Sequence, residues 1–165
     1  MWPTPYIQHL DQHLENTMQS PLPSLLLVED SASDASLFKR YIRRSRLVHD
    51  VVWVETGEQA LMYLRQEGEY GHAVRPDLIV LDFNLPGIDG QDVLTIIKVD
   101  PQLRQIPVIV FTGSTNEADI CLAYDLYANC YLRKPVEVQH YASTLKAIEG
   151  FWLNLALLPP KNCLA

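Results

Sequence analysis

Long apolar runs are missing from this chain, and several other features are scarce. No uninterrupted stretch approaches the roughly 20 apolar residues that a membrane-spanning helix needs. The first 23 residues lack a basic start followed by an apolar stretch, so they do not read as a secretory signal. Positive charge is in deficit: 13 Lys and Arg stand against 20 Asp and Glu, a formal net charge of −7. A field of that sign repels nucleic acid and anionic membrane, so neither is expected as a partner. Cysteine is limited to Cys121, Cys130 and Cys163. An odd number without paired-ligand spacing points to small hydrophobic residues in a reducing compartment, two of them in segments that read as buried. A cytoplasmic location is the expectation. No Gly-x-Gly-x-x-Gly or Gly-Lys-Ser/Thr loop follows any candidate strand, so a nucleotide site has no support.

What is present is a globular composition, 48% apolar and 20% charged over 165 residues, enough for one domain with a substantial core. Residues 1–23 form an extension with prolines at both ends. Tyr6, Ile7, Leu10, Leu14 and Met18 recur there at helical spacing, and His9 and His13 would share a face, more simply as a solvated face than as a metal site. From Ser24 a regular alternation begins. Short apolar runs at Leu25 to Val28, Val51 to Val54, Leu78 to Leu81, Pro107 to Phe111 and Cys130 to Leu132 read as strands. Helical patterns lie between and after them, carrying Leu37, Phe38, Tyr41 and Ile42; Ala60, Leu61 and Leu64; Val93, Leu94 and Ile97; Ile120, Cys121 and Tyr124; and Val138, Tyr141, Leu145, Ile148 and Trp152. Thr56 with Gln59 is a capping-box signature, and Ser114 with Glu117 can cap the fourth helix.

Five strands alternating with five helices build an α/β domain, a doubly wound parallel sheet covered on both faces, with strand order 2-1-3-4-5. The domain spans residues 24–158, including an extended last helix, and 159–165 form a tail. Sites in such sheets lie beyond the carboxyl ends of the strands. There the first strand delivers Glu29 and Asp30, the third Asp82, the fourth Thr112 and the fifth Lys134. Taken singly, an Asp at a strand end is usually a turn or cap, and a lone lysine a solvated charge. Their joint occurrence in register with four strand ends is what points to chemistry. Converging carboxylates repel unless a cation sits among them, and an all-oxygen set selects a hard ion such as magnesium. A carboxylate nucleophile, a hydroxyl, a lysine and magnesium together equip a site for phosphoryl transfer.

These residues resemble a family. Glu29-Asp30, then Leu81-Asp82-Phe83-Asn84-Leu85-Pro86-Gly87-Ile88-Asp89-Gly90, then Phe111-Thr112-Gly113, then Tyr131-Leu132-Arg133-Lys134-Pro135, are similar to the response-regulator receiver domain, a flavodoxin-like fold. The resemblance runs from about Ser24 to Gly150. It implies that Asp82 is the phosphoacceptor for a phosphohistidine of a sensor kinase, in a protein that is not an enzyme but assists its own phosphorylation and dephosphorylation. Asp30, Asp82 and the backbone carbonyl of Asn84 would hold magnesium, with Glu29 reaching it through water. Lys134 and Thr112 would contact the phosphoryl oxygens, Tyr131 would swing as Thr112 moves, and Lys134-Pro135 would be a cis peptide. Ala128 to Leu132 and Ile148 to Leu153, followed by Leu157-Leu158-Pro159, look like the small response regulators paired with cyanobacterial-type phytochromes, which implies a phytochrome-type kinase.

Two other readings stay open at this point. One is a receiver-shaped binding module that takes no phosphate, which the intact Glu29, Asp30, Asp82, Thr112 and Lys134 argue against. The other is a magnesium-dependent phosphohydrolase of the haloacid-dehalogenase type, whose second Asp is here Asn84. With no DNA-binding domain after the fifth helix, output is expected through protein contacts. Lys39, Arg40, Arg43, Arg44 and Arg46 read as a solvated helix end before they read as a docking site. Phe151, Trp152, Leu153, Leu155, Leu157 and Leu158 add more apolar surface than one face can bury. A homodimer through this segment, beside the fourth helix and fifth strand, is expected.

Overall fold

The computed structural model describes residues 22–48 and 50–161. The extension with His9 and His13, and Cys163 in the tail, lie outside the described residues. Five parallel strands, β1 (Ser24–Val28), β2 (Asp50–Val54), β3 (Leu78–Leu81), β4 (Val108–Thr112) and β5 (Cys130–Arg133), pair in the order β2-β1-β3-β4-β5. Val28 lies opposite both Val54 and Leu81, Leu81 opposite Val110, and Val110 opposite Tyr131. That register brings the carboxyl ends of β1, β3, β4 and β5 to one edge of the sheet.

Successive strand residues point to opposite faces, so the unbroken apolar runs feed two cores. Leu26, Val28, Ile79, Leu81, Val108 and Val110 pack beneath α2 (Gly57–Arg65) and α3 (Gly90–Val99), with Leu61, Leu64, Val93, Leu94 and Ile97. Leu25, Leu27, Leu78, Val80, Ile109 and Phe111 pack beneath α1 (Ala32–Ser45) and α5 (Val138–Ile148), with Phe38, Ile42, Tyr141, Leu145 and Ile148. α4 (Glu117–Asp125) contributes a single fully buried residue, Ala123.

The helix signals are local and mostly as expected. Thr56 and Gln59 close a capping box on α2. Asp89 caps α3, which stops before Asp100-Pro101. At α4 the cap is Asn116, whose side chain accepts from Ala118 N, because Ser114 is engaged with the Asp119 carboxylate. Cys121, expected in the core, is exposed, since α4 is so shallowly buried; Cys130 is half-buried.

Beyond Ile148 the helix widens into π-helical turns over Glu149–Leu155. This returns Trp152, Leu153 and Leu158 to the α1/α5 core, and Lys161 pairs with Asp77 at 3.5 Å. Trp152 and Leu158 are therefore partly satisfied within their own domain. Phe151, Leu155 and Leu157 remain 55%, 73% and 69% exposed.

Candidate functional site

Asp82 directly follows β3, and its N–H donates to Val28 O of β1 at 3.0 Å, which locks the two acidic strand ends side by side. Gly90, at the start of α3, presses on this segment: a Cβ there would fall 2.1 Å from Asp82 O, so only glycine fits. Gly87, with φ +74°, turns the intervening loop, and Glu58 at the start of α2 accepts from Ile88 N at 3.0 Å to hold that loop down.

Glu29, Asp30 and Asp82 each offer a carboxylate oxygen within 4.8 Å of the other two. Glu29 and Asp82 are buried, while Asp30 is exposed at the mouth. Lys134, carried on the segment after β5 by Lys134 N to Thr112 O (2.7 Å), places Nζ 2.6 Å from Asp82 Oδ2 and 2.5 Å from Glu29 Oε2. Burial pushes the Glu29 carboxyl up to about 7 against the pull of Lys134. Burial alone would lower the Lys134 ammonium, but its bonds to Asp82 and Glu29 outweigh that and raise it. Three carboxylates against one ammonium leave uncompensated negative charge, and the donors are all oxygen. That set fits a hard divalent cation bound through carboxylates and water.

Thr112, fully buried at the end of β4, accepts from Asn84 Nδ2 at 3.2 Å, and Asn84 N donates to Asp82 Oδ1 at 3.0 Å. Tyr131 on β5 sets its ring edge-on to Phe83, centroids 6.1 Å apart, and donates to Ser114 O at 3.3 Å. It thus links the segment after Asp82 to the segment after Thr112. All seven expected pocket residues converge, apart from one detail. The Lys134–Pro135 peptide, expected cis, is trans. Trans is the favoured isomer by roughly 0.5–1 kcal/mol, and it already delivers Nζ to Asp82.

Three neighbours escaped the reading of the sequence. Asp34 Oδ2 lies 3.3 Å from Lys134 Nζ. The Trp53 indole donates to Glu29 O at 2.7 Å. The buried Tyr141 phenol is held well above its ordinary range by burial, then by Asp34, Glu29 and Asp82. None has a signal in the chain, because each reaches the pocket from a different element through packing alone.

A parallel doubly wound sheet with an acidic triad, a hydroxyl and a lysine at the carboxyl ends of β1, β3, β4 and β5 defines a class. The chain belongs to the response regulator receiver domain family, which matches residues 25–146; members are typically phosphorylated on an aspartate. Within the family it is 41% identical over 140 residues to response regulator Rcp1 of Synechocystis sp., covering 85% of this chain and 95% of that protein. The manganese-bound structure of Rcp1 superposes with a TM-score of 0.81, covering 84% of this chain and 99% of the other. The phosphorylated cyanobacterial phytochrome response regulator RcpA is 48% identical, with the same TM-score and the same coverage. The chain is thus a response regulator homologous to those of phytochromes.

Proposed function

We propose that Asp82 is the phosphoacceptor of a phosphorelay, charged by a sensor histidine kinase of the phytochrome type and read out through protein contacts. The observation that carries this is the 2.6 Å contact of Lys134 Nζ with Asp82 Oδ2 inside the triad of Glu29, Asp30 and Asp82. An Asp82 oxygen attacks phosphorus, the P–N bond of the phosphohistidine breaks, and the imidazole leaves with its electron pair and takes up a proton. Lys134 turns from Glu29 and Asp82 to a phosphoryl oxygen, and the Thr112 hydroxyl leaves Asn84 to donate to another. Tyr131, tied to Ser114 and Phe83, follows that movement and alters the surface around α4 and β5. Asp30, Asp82 and the Asn84 carbonyl would hold magnesium, with Glu29 behind a water; bound there, the ion would neutralise charge on the phosphoryl oxygens. The manganese in Rcp1 and the phosphorylation of RcpA support this reading. The protein acts as a phosphoacceptor rather than as an enzyme on a separate substrate, and the free Cys121 and Cys130 suit a reducing compartment such as the cytoplasm.

Incubation with a small phosphodonor and magnesium, followed by intact mass, tests the assignment. One phosphoryl group is expected on the wild type and none on Asp82→Asn. Undiminished labelling of that variant would sink it.

The exposed Phe151, Leu155 and Leu157 support a homodimer at the end of α5. Sedimentation of the full chain should show a dimer, and Phe151→Ser with Leu155→Ser a folded monomer. A monomeric wild type would end that proposal.

A further inference from the structure

Asp34 occupies the third position of α1, where an acid is ordinarily explained by the helix dipole or by a capping box. The dipole favours an acid there, but it sets no direction for the side chain, and the capping box is incomplete. Ser31 caps the helix by accepting from Asp34 N, but the reciprocal bond is missing: Ser31 N donates instead to Glu29 Oε1 at 3.1 Å. The Asp34 carboxylate, freed from the cap, is turned onto Lys134 Nζ at 3.3 Å. An ammonium has three N–H donors, and Lys134 has three carboxylates around it, Glu29, Asp82 and Asp34. Two are buried at 3% and 6% side-chain exposure, while Asp34 sits at the rim at 38%.

Those three partners are not equivalent once the site is loaded. Glu29 and Asp82 belong to the cation-binding triad, so a divalent ion competes with Lys134 for both. Asp34 does not belong to it. It is the one carboxylate around the ammonium that the ion leaves alone. On the reading of Asp82 as phosphoacceptor, we propose that Asp34 is a positioning residue: it retains Lys134 over Asp82 while the cation draws Asp82 directly and Glu29 through its water. The same contact joins α1 to the segment after β5.

The test is the ammonium itself, followed by nitrogen-15 NMR of the lysine side chains in the full chain with magnesium alone. In the wild type the Lys134 ammonium signal should persist on saturation with magnesium, protected from exchange with water. In Asp34→Asn it should broaden on magnesium addition. Labelling by a small phosphodonor should then fall about fivefold, the scale of a partly exposed ion pair, and Asp34→Glu should restore at least half of it. Persistence of the signal in Asp34→Asn overturns the proposal whatever the labelling rate, as does broadening with undiminished labelling. A lowered melting temperature with no change in the magnesium-loaded signal would show a helix-cap role instead. If the wild type takes no phosphoryl group, the phosphoacceptor reading fails, and the NMR comparison still decides whether Asp34 holds the lysine.

Discussion

Two lysines lie at opposite ends of the same sheet, and their surroundings divide the molecule. Lys134, at the carboxyl end, is ringed by carboxylates and shifted upward. Lys98, at the end of α3 near the amino ends of β4 and β5, is ringed by neutral acceptors. It donates to Arg104 O, Ile106 O and Asn129 Oδ1 at 3.3, 3.1 and 3.0 Å, and burial pulls its ammonium down to about 8. Asn129 Oδ1 also accepts from Val108 N at 2.9 Å, so Lys98 and Asn129 together fasten the chain entering β4 to the loop before β5. The difference teaches what each charge is for. Carboxylates can be exchanged for a cation or a phosphoryl group, so Lys134 can change partners. Carbonyls cannot be exchanged for anything, so Lys98 is a pin.

The largest break in that comparison is Lys134→Met. It strips the cation from buried Glu29 and Asp82, and chemical denaturation without magnesium should show a loss of about 3 kcal/mol, the scale of breaking a buried pair. Magnesium should restore much of it. A loss that magnesium leaves unchanged would mean the carboxylates share no common cation site. Lys98→Met comes next. It takes the donor from the Arg104 and Ile106 carbonyls, while Asn129 Oδ1 keeps Val108 N, at about 2 kcal/mol, and here magnesium should have no effect on the loss.

The same variant carries a pH signature. Lys98 titrates at about 8 in the folded state against the ordinary 10.5, so between those values the unfolded chain binds more protons. Stability from this group therefore rises with pH from about 8 to 10.5 and is lost as pH falls through 8. Subtracting the Lys98→Met profile from the wild type should expose that slope, and a flat difference would contradict it. The smallest effect is Asp82→Asn, which relieves carboxylate crowding and should raise magnesium-free stability by about 1 kcal/mol. Magnesium at about ten times its dissociation constant should stabilise the wild type by about 1.4 kcal/mol. A wild-type melting curve indifferent to millimolar magnesium would count against the site.

Much of this was legible because it is periodic or local. The five apolar runs, the Thr56–Gln59 box and the acid, hydroxyl and lysine at the strand ends are each written within a few residues. The topology rule for right-handed crossovers then brings Asp30, Asp82 and Lys134 to one edge. Where expectations failed, a local signal lost to tertiary packing. Ser114 looked like a cap and was taken by Asp119. Cys121 looked buried on a helix that the sheet barely covers. Trp152 and Leu158 looked free until the π-helical turns folded them back.

The sequence by itself determined the five strands, the helices between them and the acid, hydroxyl and lysine at the strand ends, because strand period and capping chemistry depend on neighbours along the chain. The tertiary structure alone decided that Asp34, 100 residues from Lys134, completes the lysine's three partners. It alone set Trp53 against Glu29 and left Lys98 among carbonyls rather than acids. Those are distances between side chains on separate elements, set by how α1, α3 and β2 pack onto the sheet, and no pattern along the chain encodes them.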